Sequence, residues 1–131
     1  MAAPQLRHFN VFTDQYTPDP IPIHNGVPSS VRQLYRSPDN RVLVTSRKYP
    51  AGANYRFGHE MQHDEVFYIV EGEVVCTPVG GGPIVLSKGE VVHFPARLDA
   101  RWEYTPNSQH LAFFWGDEPL GLTALRPTAK P

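Results

Sequence analysis

Glu65-Val66-Phe67-Tyr68-Ile69-Val70-Glu71-Gly72-Glu73, followed one hairpin later by Lys88-Gly89-Glu90-Val91-Val92-His93-Phe94-Pro95, decides how this chain folds. In the first stretch a carboxylate leads an apolar run of strand length into a glycine turn. In the second, a glycine–acid turn launches a β-branched strand that a proline ends. Between them Gly80-Gly81-Gly82-Pro83 signals a further turn. Working outward, strands are expected at residues 41–49, closed by Pro50 and Gly52, and then at 54–60, 65–71, 73–78, 84–87, 91–95, 100–105 and 110–115. No segment carries a helical period. Many short strands joined by glycine and proline turns predict an all-β jelly roll or sandwich with an enclosed lumen.

The two stretches share a pattern: an acid, six residues and a glycine (Glu65 to Gly72), then a glycine, five residues and a proline (Gly89 to Pro95). This pattern resembles the paired signature of the cupins. Trp102-Glu103, seven residues past Pro95, narrows the likeness to the small single-domain cupins of the ethanolamine-utilisation type. The resemblance covers roughly residues 50–116 and implies a cupin-type jelly-roll β-barrel. It is much more specific for fold than for function.

At 131 residues the chain suits one domain with a real core. The fourteen prolines are unevenly placed, with clusters at Pro18, Pro20, Pro22 and Pro28 and again near Pro119, Pro127 and Pro131. Proline fixes φ and removes a ladder donor, so they mark arms rather than barrel. The expected organisation is a proline-rich N-terminal arm over 1–30, a barrel over 31–126 and a tail over 127–131. The arm lies across its own subunit or embraces a neighbour; its residues do not choose.

Twelve basic against thirteen acidic residues, with no basic run to follow a phosphate backbone, make nucleic acid an unexpected partner. No apolar stretch reaches membrane-spanning length, and residues 1–7 lack the apolar centre of a secretory signal, so a cytoplasmic setting is expected. The single Cys76, in Val74-Val75-Cys76-Thr77, reads as a half-buried small hydrophobe.

Chemistry in such a barrel sits inside it. The resemblance implies metal ligands at two histidines spaced by one residue, a glutamate four residues on, and a histidine in the second stretch. Here those positions hold His59, Met61, Glu65 and Ala100, and the glycine usual two residues after the proline is Arg97. Methionine is a soft donor and alanine donates nothing, so no resident cofactor is expected. The alternative is one divalent transition metal held by His59, His63, Glu65 and His110. It requires His63 to continue the odd-numbered register, whereas the expected turn over 62–64 would face it to solvent.

Glu65 is the carboxylate that the resemblance places inside. A carboxyl group behind an apolar strand must find a partner or stay protonated. His59 or His63 beside it would complete a catalytic acid–base pair, Glu65 orienting the imidazole and holding its charged form. If Ala100 faces the lumen, Trp102 and Tyr104 do so too, by the two-residue period of a strand. With Phe67 and Phe114 they would form an aromatic wall, the usual composition of a small-molecule site. Tyr55, Arg56, His93 and His110 are the remaining substrate-binding candidates. His93, in an otherwise apolar Val91-Val92-His93-Phe94, reads as a hydrogen-bonded core histidine or a lumen base, and Glu103 should face away from Trp102.

Val66, Tyr68 and Val70 make the other face of their strand apolar as well, so something should cover it: the arm, a second sheet or, as expected of similar cupins, the partner of a homodimer. The leading functional expectation is an enzyme acting on a small organic metabolite by acid–base chemistry, of isomerase, cyclase, dehydratase or decarboxylase type. A metal-dependent oxygenase or lyase, a non-catalytic ligand-binding barrel and a structural partner for another enzyme are the alternatives.

Overall fold

The computed structural model describes residues 3–18, 29–57 and 63–120, with backbone alone for 55–57. The described chain holds ten strands and no helix: β1 (Thr17–Pro18), β2 (Ser30–Arg36), β3 (Val42–Tyr49), β4 (Ala53–Phe57), β5 (Asp64–Glu71), β6 (Glu73–Pro78), β7 (Ile84–Ser87), β8 (Val91–Phe94), β9 (Ala100–Tyr104) and β10 (Ser108–Trp115). They pair antiparallel in two sheets, β1-β2-β3-β10-β5-β8 and β4-β9-β6-β7. Both sheets turn an apolar face inward, and the core is the space between them: Leu43, Tyr49, Phe67, Ile69, Val74, Phe94, Trp102 and Phe114 all belong to one buried cluster. No helix of the described residues is long and apolar enough to cross a membrane.

The strands expected from residue 41 onward are present within one or two residues, except that 58–60 lie outside the described part. Two strands were not expected. β1 lies in the proline-rich arm, where Pro18 sits on an edge strand and needs no ladder donor, and β2 pairs along β3. The described arm packs on its own subunit. Tyr16 donates its hydroxyl to Ser46 Oγ at 2.7 Å, Gln109 Nε2 donates to Val11 O at 2.8 Å, and Arg32 Nε meets Asp14 Oδ2 at 3.2 Å. Ser46 and Gln109 are the outward neighbours of Arg47 and His110, so the arm fastens the back of the strands that carry those two residues.

The described part of the arm lies on β2, β3 and β10 and leaves β5 uncovered. Tyr68 stays 40% exposed, beside exposed Val91, Phe113 and Trp115, so within the described chain the outer face of β5 is open. Val70 is buried at an irregularity where the β5–β10 register shifts between Gln109 and His110. Gly72 holds φ 75° in the β5–β6 turn, where an added Cβ would stand 2.8 Å from Ser108 Cβ. Only glycine fits such a turn. Arg97, at the position where the resemblance implies glycine, takes φ 67°. For a side-chain-bearing residue that conformation costs about 1–2 kcal/mol.

Candidate active site

Facing residues stack the lumen in layers, set by ladder register. Arg47 of β3 lies opposite His110 of β10, which lies opposite Ile69 of β5. One step on are Thr45, Ala112, Phe67 and Val92 of β8; the next holds Leu43, Phe114, Glu65 and Phe94. His63 sits just ahead of β5, on the same face as Glu65 and 2% exposed. Its Cα is roughly 7 Å from that of Glu65 at strand rise. Beyond it the chain after β10 returns, and Leu120 packs near Gly116, which itself abuts His63 Cβ. The described part of the four-stranded sheet contributes Ala100, Trp102 and Tyr104 from β9 and Cys76 and Val74 from β6. The carboxyl, imidazole and guanidinium groups described in the lumen therefore come from β3, β10 and the β5 end. The aromatic wall comes from both sheets.

Trp102 is 1% exposed and packs its indole 4.9 Å from the Phe67 ring and 5.2 Å from the Phe94 ring, centroid to centroid. Tyr104 stacks on Tyr49 at 4.0 Å, and His110 lies within 5.6 Å of the rings of Tyr49, Phe67 and Tyr104. Phe114 takes the edge of His63 at 5.3 Å. The expectation of an aromatic, inward-facing set at Phe67, Trp102, Tyr104 and Phe114 matches these positions, and Glu103 is exposed as expected.

Such walls solvate charge poorly, and the titratable groups respond in opposite directions. Burial raises the Glu65 carboxyl to about 8, although the Arg47 guanidinium pulls it down. Burial lowers His63 to about 4, against a weaker upward pull from Asp64, and burial together with Arg47 lowers His110 to about 3. At neutral pH Glu65 is a protonated acid and both imidazoles are uncharged. This corrects the expectation that Glu65 holds a charged imidazole: neither member of the pair can leave water as an ion without more compensation than the lumen offers.

His63 faces inward, contrary to the turn expected over 62–64, because the odd register runs on through His63 and Glu65. His93 is a second correction. Phe94 lies opposite Glu65 inside, so the strand period turns His93 outward, where it is exposed, sits 3.0 Å from Asp64 Oδ1 and stacks on Trp115 at 6.1 Å. It is neither a core histidine nor a lumen base. His59 lies outside the described residues, as do the side chains of Tyr55 and Arg56, whose backbones pair with Trp102 and Arg101 in the β4–β9 ladder. Arg47 and Thr45 were missed from sequence. The signal was there: they alternate with Leu43 and Tyr49, so an inward β3 face carries a cation and an aliphatic hydroxyl. Cys76 is buried and its thiol is pushed up to about 11, which leaves it inert.

Of the ligand positions that the fold implies for a resident metal, His59 and Met61 lie outside the described residues and only Glu65 and Ala100 can be placed. Ala100 is wholly buried at one ligand position and has no donor atom, and among the described residues no three His, Cys, Asp or Glu side chains converge to hold an ion. A shallow depression of about 250 Å³ on the outer face of the four-stranded sheet, lined by Asn54, Val75, Glu103 and Thr105 among others, holds no acid–base pair.

The Cupin domain family matches residues 48–115, just over half of the chain. The chain is a cupin. Solved structures agree on the fold. An RmlC-like cupin from Shewanella frigidimarina superposes with a TM-score of 0.64 at 22% identity, covering 91% of this chain and 96% of its own. The polyketide cyclase RemF from Streptomyces resistomycificus gives 0.68 at 15%, covering 88% and 83%. The Clostridium difficile EutQ protein gives 0.53 at 14%, covering 68% of each chain, in keeping with the likeness to ethanolamine-utilisation cupins. No protein of curated function matches this cupin in sequence.

The opposed shifts predict a pH profile of stability. The stability that depends on a protonated Glu65 is fully present below about 4.5 and is lost as pH rises to about 8; that which depends on neutral His63 and His110 is present above about 6.5 and is lost toward 4 and 3. The lumen contribution therefore peaks near pH 6.5. In urea unfolding, wild type is expected to lose roughly 2 kcal/mol relative to Glu65→Gln between pH 6.5 and 8.5. Parallel profiles for the two proteins would show that Glu65 ionises freely in the folded state.

Proposed function

We propose that this cupin is an enzyme that moves protons on a small organic metabolite without a resident metal, of isomerase, cyclase, dehydratase or decarboxylase type. The observation that carries the reading is the Glu65 carboxyl: enclosed by Phe94, Phe114 and the Trp102 wall, it stays protonated at neutral pH, two residues from a neutral, buried His63. An acid that keeps its proton at pH 7 beside a base that lacks one is the arrangement that general acid–base catalysis requires. His63 takes a proton from carbon, and Glu65 delivers one to a carbonyl or departing hydroxyl oxygen. The aromatic wall excludes water and holds the substrate body.

Its structural neighbours include the polyketide cyclase RemF and an ectoine synthase from P. lautus, so small-molecule enzymes occur on this fold. Incubating the protein with a panel of carbonyl and hydroxy metabolites in deuterated water tests the reading: deuterium should enter an acidic carbon position of at least one of them. Exchange that appears only after a divalent metal is added would favour the oxygenase or lyase alternative instead.

Absence of a resident metal is part of the proposal and rests on Ala100 and Met61. Protein purified without a metal-affinity tag should carry no stoichiometric iron, zinc, manganese or nickel, and chelator should leave its melting temperature unchanged, because a bound ion would stabilise the native state by mass action. Metal lost together with stability would promote His59, His63 and Glu65 to ligands. The proposal also takes a second copy of the chain as the partner that covers Tyr68, Val91, Phe113 and Trp115, contiguous on the outer face of β5, β8 and β10. Light scattering of wild type and Phe113→Lys, one dimeric and the other monomeric, is the expected pair of results.

A further inference from the structure

Past the Glu65 layer the barrel continues by a single step. Gly116 N donates to Arg41 O at 3.1 Å, extending the β10–β3 ladder beyond Trp115, and His63 stands at the same end of β5. The chain then crosses that end. Asp117, Glu118 and Pro119 lie in solvent, and Leu120 turns back into the buried cluster at 3% exposure. A Cβ built on Gly116 would stand 3.5 Å from His63 Cβ and 3.6 Å from Leu120 Cδ2, so this strap lies against the imidazole. Its fastenings are few. Leu120 N donates to Asn40 O at 2.6 Å, and the Asn40 amide Nδ2 donates to Leu120 O. Asn40 is set for both bonds: it holds φ 61° in the β2–β3 turn, a conformation asparagine adopts readily, and Arg36 Nη1 donates to its Oδ1, which leaves Nδ2 for the strap. A segment held by one buried leucine and one asparagine opens locally while the ladders stay closed.

We propose that residues 116–120 are the lid of the lumen, latched by Asn40, and that a small metabolite reaches His63 and Glu65 when Leu120 swings out. The lid rests on the acid–base reading for the identity of the site and adds its route of entry. His63 and Glu65 are 2% and 7% exposed, so a substrate touches them only after something covering that end of the barrel moves. With the strap down, His63 Nδ1 has no hydrogen-bond partner among the described residues, a cost that water or substrate removes once Leu120 leaves. The departure of Leu120 breaks its two bonds to Asn40 and no bond between strands. Reclosure over a bound substrate excludes water from the acid–base pair.

The test needs no substrate. Diethyl pyrocarbonate acylates neutral imidazoles that solvent reaches, and mass spectrometry of the digested protein gives a rate for each histidine. Exposed His93 is the reference, and His110, 3% exposed and deeper in the lumen, reports opening of the whole barrel. In wild type, His63 should react more slowly than His93 and faster than His110. Asn40→Gly keeps the left-handed turn and its carbonyl but deletes the amide, and should speed His63 about fivefold; Leu120→Ala should speed it at least about tenfold. His93 and His110 should keep their rates in Asn40→Gly. An unchanged His63 in either variant, a joint rise of His63 and His110 in Asn40→Gly, or wild-type His63 protected as fully as His110 would each overturn the lid. These rates do not depend on turnover, so absence of deuterium exchange would strike the catalytic reading and leave the lid standing.

Discussion

Trp102→Ala should destabilise the protein by roughly 3–5 kcal/mol, the largest stability loss expected of any single truncation in the barrel. The indole is the largest fully buried side chain, and it touches Phe67, Phe94 and Tyr104. Deleting it removes both the transfer free energy of the ring and the contacts of its three neighbours, which strands on two sheets cannot collapse to restore. For a domain of this size that corresponds to a fall in melting temperature of about 10–20 °C. Trp102→Phe keeps most of the contact and should cost less than half as much. Urea unfolding of both variants decides the matter. A loss below about 1 kcal/mol for the alanine variant would mean that Trp102 borders an open space that ligand rather than packing fills.

Glu65→Gln and His63→Ala are each expected to lower turnover by about 10²–10⁴-fold while leaving the fold intact. Glutamine keeps the shape of the protonated carboxyl but has no acidic proton to give, so the folded state survives and the chemistry does not. Because acid and base serve the same transition state, the double variant should be barely worse than the worse single one. Full activity in Glu65→Gln, His63→Ala and His59→Ala would sink the assignment. His110 would then be the next candidate inside the barrel; His93 would not, since it lies outside beside Trp115.

The pattern from Glu65 to Gly72 and from Gly89 to Pro95 made the barrel legible because strand period and turn chemistry are local: alternation says which side chains share a face, and glycine or proline says where a strand must stop. The same period correctly paired Trp102 with Tyr104 and set Glu103 opposite them. It misled at His93, because an apolar stretch of four residues does not reveal which of its faces is the inner one. That choice was made by the β5–β8 ladder, which places Phe94 across from Glu65. At His63 the odd register pointed inward and the expected turn over 62–64 pointed outward, since a short connection can end facing either way, and the structure follows the register. β2 was overlooked because Ser30–Arg36 mixes polar and apolar residues, and it is held as a strand by pairing with β3 rather than by its own propensity.

By itself, then, the amino-acid sequence determined the all-β class and the succession of strands from residue 41 onward, since these follow from residue type and spacing, while the family resemblance that the same motifs carry implied the inward placement of Glu65 and the missing donor at Ala100. Only the tertiary structure decided what those residues are chemically. Protonation depends on what surrounds a group in three dimensions: Phe94 and Phe114 flank Glu65 from two different strands, and Tyr49, Phe67 and Tyr104 gather around His110 from three. Those residues are up to 61 apart in the chain, and no local pattern encodes that they meet. Desolvation is a property of the assembled lumen, and it is what turns an ordinary glutamate into an acid that holds its proton at neutral pH.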